Sequence, residues 1–424
     1  MKTPQGDISK WLIPAITATL AAAFGIFTYS QGITESPDTS TYSRWADVLI
    51  SSNFNHLQMS RDISFVISPI LYSGWLTVVA VFKTALGPRW PVGIVIFNYC
   101  LTLLAVWGTL NLIKRITQDA LSVLVGGALL LVAYDLFNWI RFVLSDASFM
   151  AITFAVYYLF CLLSISTEER STLVRRRSLC IALLLLALFY RPTGLPLIIV
   201  GGLFYLSKRM LKNGGAVERA RLARRGAAAF CLIGIAAIVL HAYFMKEPSR
   251  WPLSFASNWI QRLSEEYHQG YVVFDRPETY ILNPGSLLDY IFITLKKLAY
   301  FFSPFTGSFS FVHKVANLAF FVPAYLLALL GTLKLFRSSA HLTVTQWWAS
   351  WIALLWIASF ALFHAVQQID YDWRYRLPCI LPLIVFSVSG FRSLGNKVVE
   401  KIPPTDQSPA LKHHSFYAQF SRAK

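Results

Sequence analysis

Long apolar runs recur along the whole chain and are separated by short polar segments. Ten of them approach the length of about 20 residues with which an α-helix crosses the hydrocarbon core of a bilayer. These runs cover residues 11–29, 65–86, 91–113, 119–139, 147–166, 179–206, 227–245, 315–336, 346–364 and 377–391. The pattern predicts an all-α polytopic membrane protein with about ten transmembrane helices.

The composition agrees with a membrane protein and excludes other broad classes. Of the 424 residues, 55% are hydrophobic and 14% are charged, compared with about 25% charged residues in ordinary soluble domains. So little polar material cannot coat a soluble particle, and it also excludes disordered, collagenous and disulfide-scaffold proteins. We expect one integral-membrane domain over residues 1–395 and a disordered cytoplasmic tail over residues 396–424.

Basic residues predict the orientation of the helices. The net charge is +17, but Lys and Arg lie between apolar runs rather than along one groove with interleaved aromatic residues, so they do not indicate nucleic-acid binding. The two strongest basic clusters, Arg175–Arg177 and residues 208–225, belong in the cytoplasm by the positive-inside rule. Because an even number of crossings must separate them, residues 179–206 should form a tight hairpin that breaks at Arg191 and Pro192.

The same parity argument keeps residues 65–86 on the outer face. The first span ends outside and the run after residue 86 begins outside, so the segment between them should not cross. Ser68-Pro69 and Ser73-Gly74 weaken a helix within it, which favours a juxtamembrane or re-entrant helix.

The complete topology has a large first outer loop, at about residues 30–90, and a second outer region at residues 246–314. Ten crossings leave both termini in the cytoplasm. The cytoplasmic side would then hold 23 Lys and Arg against 7 Asp and Glu, and the outer side 15 against 14. Such an asymmetry is what the positive-inside rule predicts for the correct parity.

Two aspartates lie at predicted outer ends of helices. Asp38 follows Ser36-Pro37 after the first span, and Asp146 opens a span that returns to the cytoplasm. Each has a simple alternative explanation as a helix cap. At the outer face a carboxylate avoids the cost of about 2.5–3.5 kcal/mol for a charge at mid-bilayer, and together the two are candidate catalytic residues.

Arg191 is the basic residue that is hardest to explain by topology alone. It lies between two apolar helices and therefore needs a partner. One alternative is a structural carboxylate such as Asp135 or Asp146, and the other is the phosphate of a lipid-linked substrate.

A mixed polar segment precedes the last span. It places Asp370 and Asp372 close to Arg374 and Arg376. Aromatic and basic residues at this depth are commonly membrane anchors, but a guanidinium fork is also suited to bind phosphate. We therefore expect the two arginines to contact a donor phosphate.

The sequence contains no recognised cofactor or metal motif. A Gly-rich phosphate loop and the HExxH, GxSxG and paired CxxC motifs are all absent. His268 and Glu265-Glu266 match no metal spacing, and the five cysteines have no paired spacing. The question of a cofactor stays open, because a divalent metal suits the chemistry but no ligand motif indicates one.

In this order and placement, these residues give the chain a resemblance to the glycosyltransferase C superfamily. It is most similar to bacterial members related to protein O-mannosyltransferases and to the aminoarabinose transferases of lipid A. The resemblance rests on Asp38 with Tyr42 and Ala46, on Pro69-Ile70-Leu71-Tyr72, on Asp146, on Arg191-Pro192, and on Arg374-Tyr375-Arg376-Leu377-Pro378.

The resemblance implies transfer of a sugar, with inversion, from a polyprenyl-phosphate donor to an acceptor hydroxyl. The reaction would take place at the outer face of a bacterial inner membrane. The partners would be the lipid-linked donor, membrane lipid and a lipid or glycan acceptor, without nucleic acid. By this resemblance the site residues are Asp38 and Asp146 as catalytic acids, Arg191, Arg374 and Arg376 as ligands of the donor phosphate, and Tyr42 and Tyr375 as substrate contacts.

Two other functions stay open at the level of sequence. A polysaccharide polymerase or ligase with lipid-linked donors would place Arg and His in a large outer loop, as Arg262, His268 and Arg276 do. A transporter or flippase of lipid-linked saccharides would need ionisable residues deep in the bundle and commonly has repeated halves.

Overall fold

The computed structural model describes residues 5–63, 69–165, 170–211, 215–250, 261, 264–265, 268, 284–307, 309–337, 342–367 and 373–399. Within these ranges the regular elements are α-helices and short 3-10 helices, which confirms the prediction of an all-α fold. The α-helices are α1 (Gln5–Gln31), α2 (Pro37–Ser51), α3 (His56–Asp62), α4 (Ser73–Leu86), α5 (Trp90–Thr117), α6 (Ala120–Val132), α7 (Tyr134–Asn138), α8 (Asp146–Ile165), α9 (Arg170–Tyr190), α10 (Pro196–Met210), α11 (Ala216–Lys246), α12 (Leu287–Phe302), α13 (Phe311–Phe336), α14 (Val344–Gln367) and α15 (Leu377–Val399).

Six helical stretches of the described residues are long and apolar enough to cross a membrane, as in a multi-pass membrane protein. A seventh is added if the bent pair of α6 with the segment Tyr134–Arg141 counts as one span. This number is smaller than the ten predicted crossings. The difference includes α10, which has only 15 residues, and α9, which carries Arg175–Arg177 in its first half.

The predicted hairpin at Arg191 is present as α9 and α10. The side chain of Leu184 in α9 lies beside Gly201 in α10, so the chain returns along its own path. In turn, α10 packs on α8, where Phe204 stacks on Phe160 with ring centres 4.8 Å apart.

A proline and a glycine produce the tight turn of this hairpin. Pro192 disfavours a helical conformation in the residue before it, and Arg191 accordingly has an extended backbone with φ −156° and ψ 146°. Gly194 then passes so close to α9 that a Cβ atom would lie 2.5 Å from the carbonyl oxygen of Ala187. The turn therefore presents Arg191 at one end of the bundle, which we call the Arg191 end.

Helix α4 packs on the end of α9 with its first turn and on α5 with its second half. The ring of Trp75 in its first turn lies 5.8 Å from that of Tyr190, and the ring of Phe82 lies 5.9 Å from that of Phe97 in α5. A turn at Gly87, with φ +53°, separates α4 from α5. Whether residues 65–86 cross the membrane stays a prediction, and residues 65–68 lie outside the described ranges.

Helix α15 forms the centre of the bundle. It packs against α5, α6, α8, α13 and α14, and its residues from Leu377 to Gly390 are buried. Gly390 lets α15 approach the backbone of α13 closely at Leu327. The short 3-10 helix Trp373–Arg376 is thereby fixed at the Arg191 end. Helix α15 continues past the predicted domain boundary at residue 395, and the remainder of the predicted tail, residues 400–424, lies outside the described ranges.

Candidate functional site

Asp38 lies in the first turn of α2, where Ser36 and not Asp38 is the N-cap. The Ser36 hydroxyl accepts a hydrogen bond from the Thr39 backbone N–H at 3.4 Å, and the Ser36 N–H donates to the Thr39 hydroxyl at 3.0 Å. The carboxylate of Asp38 instead accepts a hydrogen bond from the Arg374 guanidinium at 2.6 Å. The Asp38 side chain is 42% exposed and that of Arg374 is 16% exposed, so this ion pair lies at the edge of the bundle.

Asp146 and Arg191 form a second ion pair that is buried. Asp146 is the first residue of α8, and its carboxylate accepts a hydrogen bond from the Arg191 guanidinium. Their side chains are only 3% and 5% exposed. Next to them, the Tyr190 hydroxyl donates to the Ser148 hydroxyl at 2.8 Å and fixes the end of α9 on α8. Arg191 therefore has a carboxylate partner in the structure, and its role in binding a donor phosphate stays a prediction.

Tyr375 connects the two ion pairs. The guanidinium carbon of Arg374 lies 5.4 Å from the centre of its ring, and that of Arg191 lies 5.5 Å from it. An arginine within about 6 Å of an aromatic ring is attracted by the electrons of the ring face. The structure therefore brings five of the seven predicted site residues into one cluster around Tyr375: Asp38, Asp146, Arg191, Arg374 and Tyr375 itself.

Tyr42 joins this cluster through the aromatic residues beneath α2. Its ring centre is 5.6 Å from that of Tyr72 and 6.2 Å from that of Trp75. Burial raises the pKa of Tyr42 well above its ordinary value. The charge of Asp38 also raises this pKa, whereas the charges of Arg191 and Arg374 lower it. The phenol therefore stays protonated at neutral pH and keeps a hydrogen-bond donor beside the ion pairs.

Arg376 is turned away from the cluster. In a 3-10 helix successive side chains point about 120° apart, because a turn has three residues. Arg376 accordingly donates to the carboxylate of Asp135 at 2.8 Å and to the backbone carbonyl of Ser303. Asp135 also contacts the His313 ring nitrogen at 3.2 Å. The structure thus does not bring Arg374 and Arg376 together around one anion, and a role of Arg376 in phosphate binding stays a prediction.

The electrostatics of the cluster favour an exchange of partners. Two carboxylates and two guanidinium groups compensate one another, and three of the four side chains are less than a fifth exposed. A phosphate oxygen presents the same kind of acceptor to a guanidinium as a carboxylate oxygen does. An incoming phosphate can therefore replace the Asp38 carboxylate on Arg374, because the displaced Asp38 side chain is 42% exposed and stays in contact with water.

Of the other polar residues singled out in the sequence, those that the structure describes do not join this cluster. Among the described residues, no group of three or more His, Cys, Asp or Glu side chains could hold a metal ion. His268 is exposed, contacts Ser264, and packs its ring 5.7 Å from that of Tyr290. Five other polar residues, from the last outer loop and the second outer region, lie outside the described ranges: Asp370, Asp372, Arg262, Glu266 and Arg276.

Sequence reasoning missed two partners of the site. The sequence indicates Asp135 only as a possible partner of Arg191, although a carboxylate within an apolar run signals a buried ion pair. Hydropathy gives no signal for His313, because α13 begins at Phe311, before the start of the predicted run at residue 315.

Comparisons with known proteins do not assign a family. No protein-family model matches the chain, and neither a curated protein nor a solved structure does. Its function must therefore be inferred from the site and from the residues that resemble a known superfamily.

Proposed function

We propose that the protein is a membrane glycosyltransferase that moves a sugar from a polyprenyl-phosphate donor to an acceptor hydroxyl, with inversion. The observation that carries this proposal is the Asp38–Arg374 pair beside the buried Asp146–Arg191 pair, at one end of an apolar helical bundle. The resemblance to the glycosyltransferase C superfamily supports it, because Asp38 and Arg191 are the positions that the resemblance assigns to the catalytic acid and to the donor phosphate.

The arginines would bind and stabilise the leaving phosphate. When the bond between the anomeric carbon and the phosphate oxygen breaks, its electron pair goes to the phosphate. Arg374 and Arg191 then offer guanidinium donors to the growing negative charge in a site with little water, where such stabilisation is strongest. Tyr42 adds a protonated phenol at the same place.

Asp38 would act as the general base. Once the donor phosphate occupies Arg374, the Asp38 carboxylate is released from this ion pair and can accept a hydrogen bond from the acceptor hydroxyl. The acceptor O–H then gives its proton to Asp38 while its oxygen attacks the anomeric carbon from the face opposite to the phosphate. Such a base contributes about 10²- to 10⁴-fold to the rate. Asp146 would hold Arg191 in place and so act as a positioning residue.

We further propose that the chain crosses the membrane ten times, with the Arg191 end on the outer face. The membrane would be a bacterial inner membrane, and α2, α3 and α4 would lie on its outer surface. The contacts of Trp75 with Tyr190 and of Lys83 with Asp47 support this placement, because they join α4 to the end of α9 and to α2. The acceptor would be a lipid or a glycan that reaches this surface.

The proposal is tested by the substitution Asp38→Asn, which keeps the side-chain volume but removes the charge and nearly all basicity. Transfer of sugar in membranes supplied with a polyprenyl-phosphate sugar should fall by at least about 10²-fold. Thermal stability in detergent should stay near that of the wild type, because Ser36 and not Asp38 caps α2. Asp62→Asn, an exposed aspartate at the end of α3, is the matched control and should leave transfer unchanged.

Two outcomes would contradict the proposal. Transfer at the wild-type rate by the Asp38→Asn protein would remove this residue from the mechanism. A wild-type protein that moves lipid-linked sugar across vesicle membranes, but forms no transfer product with any donor, would instead be a transporter.

A further inference from the structure

A large cleft separate from the candidate site lies between α10, α11 and α14. Its volume is about 720 Å³, within the range of about 300–1,000 Å³ that is usual for ligand sites. Leu195 and Met210 mark its two ends on α10, and Trp351 and Val366 mark them on α14. At about 1.5 Å per helical residue, the cleft is about 22 Å long.

The walls of this cleft suit a hydrocarbon chain. They consist almost entirely of aliphatic and aromatic side chains, and Ile198 and Ile233 on its sides are more than half exposed. A chain can therefore enter sideways from the membrane. One leaflet of a bilayer has a hydrocarbon depth of about 15 Å, half of the core, so the cleft has room for the full length of an acyl chain.

One end of the cleft is basic. Among the described residues that line it, Arg225 is the only charged one, and it lies at the level of Trp351, since Gly226 packs directly against the ring of that residue. At the opposite end, near Leu195, the lining residues that the structure describes are uncharged. Basic pockets between transmembrane helices are sites for the head groups of anionic lipids.

We infer that this cleft binds one anionic phospholipid, with an acyl chain along α10 and the phosphate at Arg225. Charge complementarity favours this occupant over a neutral lipid. A polyprenyl phosphate held by Arg191 would need its phosphate at the other end of the cleft. The bound lipid would fill the gap between α10 and α11 and support the hairpin that presents Arg191. This inference does not depend on transferase activity.

The test is a titration of the full-length detergent-purified protein with palmitoyl-oleoyl phosphatidylglycerol, followed by native mass spectrometry. The wild type should retain one molecule more tightly than it retains phosphatidylcholine with the same chains. Arg225→Gln should weaken the binding of phosphatidylglycerol about fivefold, the effect of one basic residue near an anionic lipid. The matched control Arg224→Gln removes the same charge from the neighbouring position, which does not line the cleft, and should change binding less than twofold.

A second variant tests the apolar part of the cleft without a change of charge. Ala229→Phe fills the wall of α11 and should weaken the binding of both lipids at least fivefold. If the Ala229→Phe protein does not elute as a single folded species, Ala237→Phe is used instead. It fills the same wall of α11 nearer the other end of the cleft.

Several results would overturn the inference. Equal losses in Arg224→Gln and Arg225→Gln would show a diffuse attraction to the basic surface. Equal binding of the two phospholipids would show a purely apolar groove. A polyprenyl phosphate retained in place of phospholipid, or a dimer that Ala229→Phe dissociates, would give the cleft a different occupant.

Discussion

Two arginines on one turn, Arg374 and Arg376, have very different surroundings. Arg374 pairs with the partly exposed Asp38, whereas Arg376 pairs with the buried Asp135. A buried pair that loses one partner leaves an uncompensated charge in a medium of low polarity, and an exposed pair does not. The first arginine is therefore available to a ligand, and the second holds the fold together.

Substitution of each arginine by glutamine should separate these roles. Arg376→Gln leaves the Asp135 carboxylate buried without its guanidinium partner and should cost about 3–5 kcal/mol of stability. Arg374→Gln should cost at most about 1 kcal/mol, as for an exposed pair. Thermal unfolding in detergent measures both, and Asp135→Asn combined with Arg376→Gln should recover part of the loss. An equal loss in the two single variants would show that Arg374 is also structural.

At this scale the sequence indicated most of the cluster, and Asp146 as one of two possible partners of Arg191, but not the pair of Asp38 with Arg374. Asp38, Asp146 and Arg191 could be predicted to meet because each lies at the end of an apolar run on the same side of the predicted topology. The opposite directions of Arg374 and Arg376 could not be predicted, since they depend on a 3-10 turn of only four residues. Hydropathy carries no signal for such a turn.

Among the elements, the hairpin of α9 and α10 depends on one glycine. A Cβ atom at Gly194 would approach the Ala187 carbonyl to 2.5 Å, whereas a Cβ atom at Gly202 meets nothing within 4 Å. Gly194→Ala should therefore destabilise the protein by about 1–3 kcal/mol, the usual cost of overpacking. Gly202→Ala lies inside α10 and should be neutral or stabilising by up to about 1 kcal/mol.

Thermal unfolding of the two alanine variants checks this difference. Glycosyl transfer should fall only in Gly194→Ala, because that turn positions Arg191. Equal stability of the two variants would mean that the hairpin can relax, and that the close approach at Ala187 is not required.

The hairpin was predictable because Pro192 interrupts an apolar run between two basic clusters that must lie on the same side. The structure of residues 65–86 was less predictable. Their apolar run reads as one segment, but α4 begins only at Ser73 and contacts α2 along its side. Tertiary contacts, which no local pattern encodes, decide where such a helix lies.

For the whole molecule, the proposed topology places α2 and α4 on one side of the membrane. Single cysteines at Ser40 and Ala85, both exposed, should react with an impermeant reagent added from outside. A cysteine at Ser171, beside the basic cluster of α9, should react only after the membrane is made permeable. The background must lack the native cysteines, because Cys100 and Cys231 are exposed.

Position 85 is a better probe than Gly87, whose φ of +53° would strain a cysteine. Reaction at Ala85 from the cytoplasmic side alone would mean that α4 crosses the membrane and that the parity of the proposed topology is wrong.

The shortness of α10 has a consequence for the lipid around the protein. Its 15 residues span about 22 Å, less than the hydrocarbon thickness of about 30 Å of an ordinary bilayer. A short hydrophobic segment meets this mismatch by thinning the bilayer around it. The water boundary would then dip towards Arg191, and a lipid phosphate could reach the buried guanidinium without entering hydrocarbon. Thicker bilayers would oppose this depression, and turnover should fall as the chains of the host lipid lengthen.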